Sequence, residues 1–171
     1  MDFLNQLKQD YRFLIHFHVY KKEITHDLHE QVIYAIFFEE VCAYISEYPD
    51  GSYNEFDFER DEDKFYLRCM LFADGGSIDP LEIDSSNKED SNIHIHELNV
   101  GKYDNFGAGS FVLESFENEL RQYNHIKTIS GMLSSFDYPQ RDQLIHFYSK
   151  NGFDEIIPMT DDINGKMVKY L

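Results

Sequence analysis

The residues from 93 to 171 alternate between strand-like and helix-like segments, and this alternation constrains the fold more than any other feature of the sequence. The strand-like segments, rich in β-branched and aromatic residues, cover 93–100, 126–133, 153–157 and 166–171. Between them lie two amphipathic segments, 110–123 and 139–150, and Gly152 follows the second, where glycine commonly ends a helix. Strands that alternate with helices in this way predict a sheet with helices packed against it.

The first half of the chain gives a less regular pattern. Apolar residues at helical spacing predict a short helix over 1–10, and the aromatic run at 12–20 predicts a strand. Asp27 followed by Glu30 resembles a capping box, and an apolar stripe continues to about residue 48. A long amphipathic helix over 27–48 is therefore expected.

Residues 49–91 read as a hairpin followed by a loop. Residues 53–58 alternate aromatic with acidic side chains, as in a half-exposed strand, and 64–72 is the expected hairpin partner. The segment 73–91 contains two glycines, a proline and a polar run, which predicts a loop.

Length and composition favour one compact cytoplasmic domain over 1–171. The chain has 171 residues, of which 42% are hydrophobic and 16% aromatic, enough to bury a substantial core. Two cysteines, Cys42 and Cys69, are too few for a disulfide scaffold, and residues 1–11 lack a secretory pattern. No stretch approaches the roughly 18 apolar residues of a membrane-spanning helix.

The chain is strongly acidic, which limits its partners. Fifteen Lys and Arg residues stand against 32 Asp and Glu, for a formal net charge of -17 at pH 7. The resulting field repels nucleic acid and anionic membranes and attracts amines or basic proteins. An acidic surface that serves only solubility remains the alternative.

A glycine turn at 100–110 joins a predicted strand to a predicted helix. Gly107 and Gly109 let the backbone approach a ligand, and the amides at a helix start can hold phosphate oxygens. The spacing excludes a Walker A loop, and Val112 stands where the dinucleotide fingerprint has its third glycine. The turn is either an anion site or a tight connection without a ligand.

Two segments together resemble the GCN5-related N-acetyltransferase superfamily. Gly107-Ala108-Gly109 is similar to the glycine part of that family's coenzyme loop, and residues 146–153, HFYSKNGF, resemble a stretch of its last helix. Asp104 departs from the pattern, because the family has Gln or Arg at that position. The resemblance implies a mixed, mostly antiparallel α+β fold, with residues 1–90 on the acceptor side and 91–171 on the coenzyme side.

The resemblance also implies catalytic residues. His94 and His96 are similar to a His-x-His strand of the arylalkylamine N-acetyltransferase branch, whose histidines help to deprotonate the amine. Glu97 is the second choice for the base, since in a regular strand it points away from His96. Tyr148 matches the family's frequent general acid. The alternative is that none of these residues is catalytic, so that His94 and His96 are ordinary strand residues and Tyr148 packs in the core.

The coenzyme, by the same resemblance, is acetyl-CoA, used as cosubstrate. Its predicted binding residues follow the strand and form the turn: Leu98, Asn99, Val100, Asn105, Phe106, Gly107, Ala108, Gly109 and Ser110. No metal is expected, because no longer-range ligand pattern accompanies the histidines.

The predicted function is N-acetylation of a primary amine on a small molecule or peptide, for which Tyr53, Glu55 and Asp57 are candidate acceptor contacts. A homodimer is compatible with this prediction. The alternative is a non-catalytic protein of the same fold that docks a basic partner on its acidic surface.

Overall fold

A computed structural model describes residues 17–26, 29–39, 46–47, 53–54, 64–65, 67–73, 76–78, 80–83, 86–87, 90–101 and 106–171. Within these ranges the chain forms a four-stranded sheet, a five-stranded sheet, two two-stranded pairs and two α-helices. The fold is α+β with mostly antiparallel strands, as predicted.

The elements are named in chain order. The strands are β1 (Phe17–His26), β2 (His29–Glu39), β3 (Ser46–Glu47), β4 (Tyr53–Asn54), β5 (Lys64–Phe65), β6 (Leu67–Ala73), β7 (Gly76–Ile78), β8 (Leu81–Ile83), β9 (Ser86–Asn87), β10 (Asn92–Leu98), β11 (Thr128–Leu133), β12 (Glu155–Ile157) and β13 (Gly165–Tyr170). The helices are α1 (Ala108–Leu120) and α2 (Arg141–Lys150), and a 3₁₀ segment, Ser135–Gln140, precedes α2. None of the helices in the described ranges has the length and apolar character needed to cross a bilayer.

The long helix predicted for 27–48 is wrong, because β2 and β3 occupy the described part of that segment. β2 lies between β1 and β6 in the four-stranded sheet, and buried residues occur on both of its faces. Ile33, Ala35, Ile36 and Phe37 are all fully buried. A strand covered on both faces reads as a continuous apolar run, which periodicity alone cannot separate from a buried helix.

The predicted hairpin between 53–58 and 64–72 is also wrong. In the described ranges β4 pairs with β3, β5 pairs with β9, and β6 pairs with β2 and β7. β6 pairs with β2 on one edge and with β7 on the other, and Cys69, Met70 and Leu71 are buried on its alternating faces.

The loop predicted for 73–91 contains three short strands instead, β7, β8 and β9. Leu81 is buried where β8 pairs with β10, and this tertiary contact outweighs the turn residues around it. The predicted helix at 1–10 lies outside the described residues. The predicted strand at 12–20 is a strand over its described part, 17–20.

The second half follows the predicted order of elements. The five-stranded sheet has the order β12-β13-β11-β10-β8, and β10 and β11 are its parallel pair, with α1 connecting them. Their pairing ends at Ile95 and Gly131, whereas β10 continues to Leu98 and β11 to Leu133. The two strands therefore separate toward their C-terminal ends.

The core lies between the sheets and α1. α1 packs on β1 and β2, where the Phe116 ring stacks on that of Phe37 at 5.9 Å between centroids. Tyr20 meets Phe37 edge-on at 5.8 Å. The buried cluster includes residues of both larger sheets, so α1 is held with its N-terminus beside the end of β10.

Candidate functional site

A cavity of about 450 Å³ opens where the end of β10, the start of α1 and one face of α2 meet. Six of the nine residues predicted to bind the coenzyme line it: Leu98, Asn99, Val100, Gly107, Gly109 and Ser110. Of the other three, Ala108 is fully buried, Phe106 is exposed, and Asn105 lies outside the described residues. The strand end and the glycine turn therefore face one space.

The glycine turn presents the start of α1 to the cavity. Gly107 precedes the helix in a left-handed conformation, with φ +79°, which favours glycine. The amides of the first helical residues, Ala108, Gly109 and Ser110, have no acceptor in a preceding turn. No side chain caps them, and no described residue accepts a hydrogen bond from them. Together with the helix dipole, this arrangement suits an anion.

The backbone of β10 offers a second set of groups to the cavity. The Asn99 amide donates to the carbonyl oxygen of Pro80 at 2.8 Å, beside β8. Neighbouring residues of an extended chain direct their amides to opposite sides. The amides of Leu98 and Val100 therefore face away from β8, toward the gap where β11 has separated.

The charge of the cavity contrasts with that of the whole chain. The described residues that line it include no Asp or Glu, and they include Lys150. A second cation approaches the turn from β1, where Nζ of Lys22 lies 3.8 Å from the position of a Cβ atom at Gly107. Lys22 also lies 5.8 Å from the Phe111 ring centroid. Among the described residues, two lysines and no carboxylate therefore lie at or beside the cavity, in a chain of net charge -17.

The far wall of the cavity was missed by the sequence prediction. It is formed by Gln140, Gln143, Leu144, Phe147 and Lys150, which share one face of α2 and the turn before it. These residues recur every three or four positions, a spacing that predicts one helix face. The sequence prediction applied it only to the apolar residues, such as Leu144 and Phe147. Asp104 and the predicted acceptor contacts Glu55 and Asp57 lie outside the described residues, as does the Tyr53 side chain.

The candidate bases lie on β10, N-terminal to Leu98, the first residue of this strand that lines the cavity. The His94 and His96 rings lie edge to face, with centroids 5.1 Å apart and planes inclined by 74°. β10 bulges at His96, because β10 advances from Ile95 to Glu97 while β8 advances by one residue. The regular alternation that assigned Glu97 to the opposite side is therefore broken, and both His96 and Glu97 are exposed.

Tyr148 lies behind the cavity wall. Its side chain is 8% exposed and meets the rings of Phe147 and Phe153 edge-on, at 5.1 and 5.2 Å. It is not among the cavity-lining residues, whereas Phe147 is. Burial, and then the negative charge of Asp137, raise the pKa of Tyr148 to about 12. The phenol therefore keeps its proton throughout the neutral range.

Comparisons with known proteins give a likeness among solved structures. The sequence matches no protein-family model and no curated protein. Among solved structures it is similar to a nourseothricin acetyltransferase, with a TM-score of 0.43 and 11% sequence identity, over 95% of this chain and 92% of that chain.

Proposed function

We propose that this chain is an N-acetyltransferase that uses acetyl-CoA as cosubstrate and acetylates a primary amine of a small molecule or peptide. One observation carries the proposal. The cavity joins a helix start that no described side chain caps, which suits a diphosphate, to the end of β10 beyond its pairing with β11, which suits an extended arm. A coenzyme with a diphosphate at one end and a thioester at the other matches both features.

The backbone is proposed to supply most of the coenzyme contacts. The amides of Gly109 and Ser110, which line the cavity, hold the diphosphate. Leu98 and Val100 pair with the pantetheine amides, which enter the gap beside β10 as an added strand would. The absence of carboxylates among the described lining residues permits this in an acidic chain.

The reaction needs no covalent enzyme intermediate. His96, with His94 beside it, takes a proton from the ammonium group of the acceptor, because a near-neutral imidazole suits that task. The amine nitrogen then attacks the thioester carbonyl to form a tetrahedral intermediate. As this intermediate collapses, the C–S bond breaks and the nitrogen releases its second proton to solvent, which leaves the amide. Tyr148, kept protonated by burial, is the proposed donor to the departing thiolate once the Phe147 ring moves aside, because Phe147 and not Tyr148 lines the cavity. Holding amine and thioester together supplies much of the rate.

The acceptor is proposed to be cationic. The net charge of -17 attracts ammonium groups and repels anions. An uncharged analogue of a good acceptor should therefore react more slowly. Equal rates for the two would contradict this assignment. A cytoplasmic location and a homodimer stay predictions.

Isothermal titration with acetyl-CoA tests the proposal. Ser110→Asp places a carboxylate at the start of α1, which a helix tolerates but a diphosphate does not. Ser91→Asp is the matched control, because Ser91 is exposed at the opposite end of β10. We expect binding by the wild type and the control, and at least about tenfold weaker binding by Ser110→Asp, a change of about 1.4 kcal/mol.

Two results would count against the proposal. No binding by the wild type would favour the non-catalytic protein that docks a basic partner. Binding without thiol release in the presence of diverse amines would leave a coenzyme-binding protein without the transfer step.

A further inference from the structure

Four of the seven large apolar side chains that are exposed in the described ranges gather at one end of the five-stranded sheet. They are Met132, Phe136, Ile157 and Ile163, with exposed fractions of 50%, 93%, 62% and 67%. Met132 lies on β11, Phe136 in the 3₁₀ segment that follows it, Ile157 on β12 and Ile163 in the connection between β12 and β13. Single exposed apolar residues are ordinary, but several on one surface mark an interaction site.

Strand register and hydrogen bonds place these four residues side by side. Lys166 of β13 pairs with Met132 on one side and with Ile157 on the other, and register partners point to the same face of a sheet. Asn164 ties the connection and the 3₁₀ segment to this face. Its Nδ2 donates to Sδ of Met132 at 3.2 Å, and its Oδ1 accepts from the Ser135 amide at 2.8 Å. We call Met132, Phe136, Ile157 and Ile163 the end patch.

The connection that carries Ile163 is held by its own hydrogen bonds. The Thr160 amide donates to the carbonyl oxygen of Ile163 at 2.9 Å, and the Ile163 amide donates to Oγ1 of Thr160 at 3.0 Å. Met159, which is 1% exposed, anchors the connection in the core. A surface that is already formed loses little conformational entropy when a partner binds. The end patch is therefore suited to docking.

The charges beside the end patch decide which partner fits it. The segments 132–137 and 157–166 contain three carboxylates, Asp137, Asp161 and Asp162, all exposed, and one cation, Lys166. An isologous contact between two copies would set these carboxylates against one another, in chains that each carry a net charge of -17. The same charge repels nucleic acid and anionic membranes. A cationic partner complements the surface.

We infer that the end patch is a docking surface for a peptide segment of another protein that carries large apolar side chains next to Lys or Arg. The apolar side chains of the partner cover the end patch and remove it from water, which supplies most of the affinity. Its cations lie beside the three carboxylates, where they speed association and fix the orientation. The docking surface does not depend on the proposed acetyl transfer, because none of its residues is among the described residues that line the cavity.

Fluorescence anisotropy with synthetic peptides tests the docking surface. The probe is a labelled helical peptide of Leu and Lys, about 14 residues long, with its leucines on one face. A counterpart with Ser in place of each Leu has the same charge and should bind at least about tenfold more weakly. Phe136→Ser and Ile163→Ser should each weaken binding of the Leu and Lys peptide at least about fivefold. Tyr170→Ser is the matched control, because Tyr170 is an exposed aromatic residue at the opposite end of β13.

A second pair of variants tests the local charge. Asp161→Asn/Asp162→Asn should weaken binding of the Leu and Lys peptide about fivefold at low salt, and the difference should shrink at high salt. Glu23→Gln/Glu114→Gln removes the same amount of charge from exposed positions on β1 and α1. This control should change the affinity by less than about twofold, because those charges are distant and screened.

Several results would each overturn the docking surface. Equal binding of the Leu and Lys peptide and its Ser counterpart would mean that net charge alone attracts the peptide. No binding by the wild type, or wild-type affinity in Phe136→Ser and Ile163→Ser, would remove the end patch from recognition. Equal effects of the two charge variants would remove the aspartates from it. A wild-type dimer in sedimentation velocity that Phe136→Ser abolishes would assign the end patch to a second copy of this chain.

Discussion

Gly109 of α1 lies directly against the Phe147 ring of α2. A Cβ atom at position 109 would be 3.1 Å from Cζ and 3.3 Å from Cε2 of Phe147. Both residues line the cavity, so the absence of a side chain at Gly109 sets the distance between its two walls. The glycine is needed here for close approach of a neighbouring ring, and not for a left-handed backbone.

Gly109→Ala should therefore push the Phe147 ring into the cavity. We expect binding of acetyl-CoA to weaken about tenfold, or about 1.4 kcal/mol, in isothermal titration. The double variant Gly109→Ala/Phe147→Leu relieves the contact and should recover most of the affinity. If Gly109→Ala binds as the wild type does, Phe147 moves freely and the proposed wall is not rigid.

Lys22 supplies a cation to the start of α1 from the other side. Lys22→Met keeps the stem that packs near Phe111 but removes the charge. The affinity for acetyl-CoA should fall about fivefold, or about 1 kcal/mol, and the difference should shrink at high salt. Lys21→Met is the control, because Lys21 is exposed and its neighbour is Glu23 at 3.8 Å. Equal effects of the two variants would remove Lys22 from the site.

The sequence predicted the elements that build the cavity because their signals are local. β10, α1, β11 and α2 each have a pattern that is readable within a window of about 15 residues. β2 was mistaken for a helix because a strand buried on both faces gives an apolar run that periodicity alone does not separate from a buried helix. Lys22 could not be found, since its place beside Gly107 depends on how β1 docks across α1.

The surroundings of the predicted catalytic residues could not be read from the sequence either, because they depend on pairing with other strands. A regular strand places Glu97 opposite His96, but a bulge depends on pairing with β8 and leaves no mark in one sequence. The hydrogen bond between Ser130 of β11 and His94 depends likewise on the parallel register. Lys150 and Gln143 of α2, and Gln140 just before it, were readable, because they repeat the spacing of Leu144 and Phe147.

The ionisation of Tyr148 should make the free energy of unfolding depend on pH in the alkaline range. Its pKa is about 12 in the fold and about 10 in the unfolded chain, so the unfolded state loses the proton first. The contribution of this pKa difference to the free energy of unfolding is complete below about pH 10 and disappears as the pH rises toward 12. Tyr20, whose pKa burial and Glu119 also raise to about 12, acts in the same direction.

The test compares urea unfolding at about pH 9 and about pH 11. The wild type should lose roughly 1 kcal/mol more free energy of unfolding over this range than Tyr148→Phe does. Tyr20 remains in the variant and cancels in the comparison. Identical losses would show that Tyr148 ionises as easily in the folded protein as in the unfolded chain.

In the transfer assay, Tyr148→Phe should lower kcat if Tyr148 is the acid, and unchanged turnover would remove that role.

Glu119 should be the most costly carboxylate of α1 to remove. Its side chain is 2% exposed and holds β1 to the helix. Its oxygens contact Nδ1 of His18 at 3.0 Å, and they accept from the Tyr20 hydroxyl at 3.1 Å and from Nε2 of Gln122 at 3.2 Å. Glu119→Ala leaves these groups without their shared acceptor and opens a void beside Tyr20.

Urea unfolding of Glu119→Ala should show a loss of about 2–4 kcal/mol, the range for breaking a buried polar network. Glu114→Ala is the matched control, because Glu114 is exposed on the same helix and the substitution changes helix propensity equally. The control should stay within about 0.5 kcal/mol of the wild type. Similar losses in both variants would mean that the bonds to β1 contribute little, and that α1 is held by its apolar face alone.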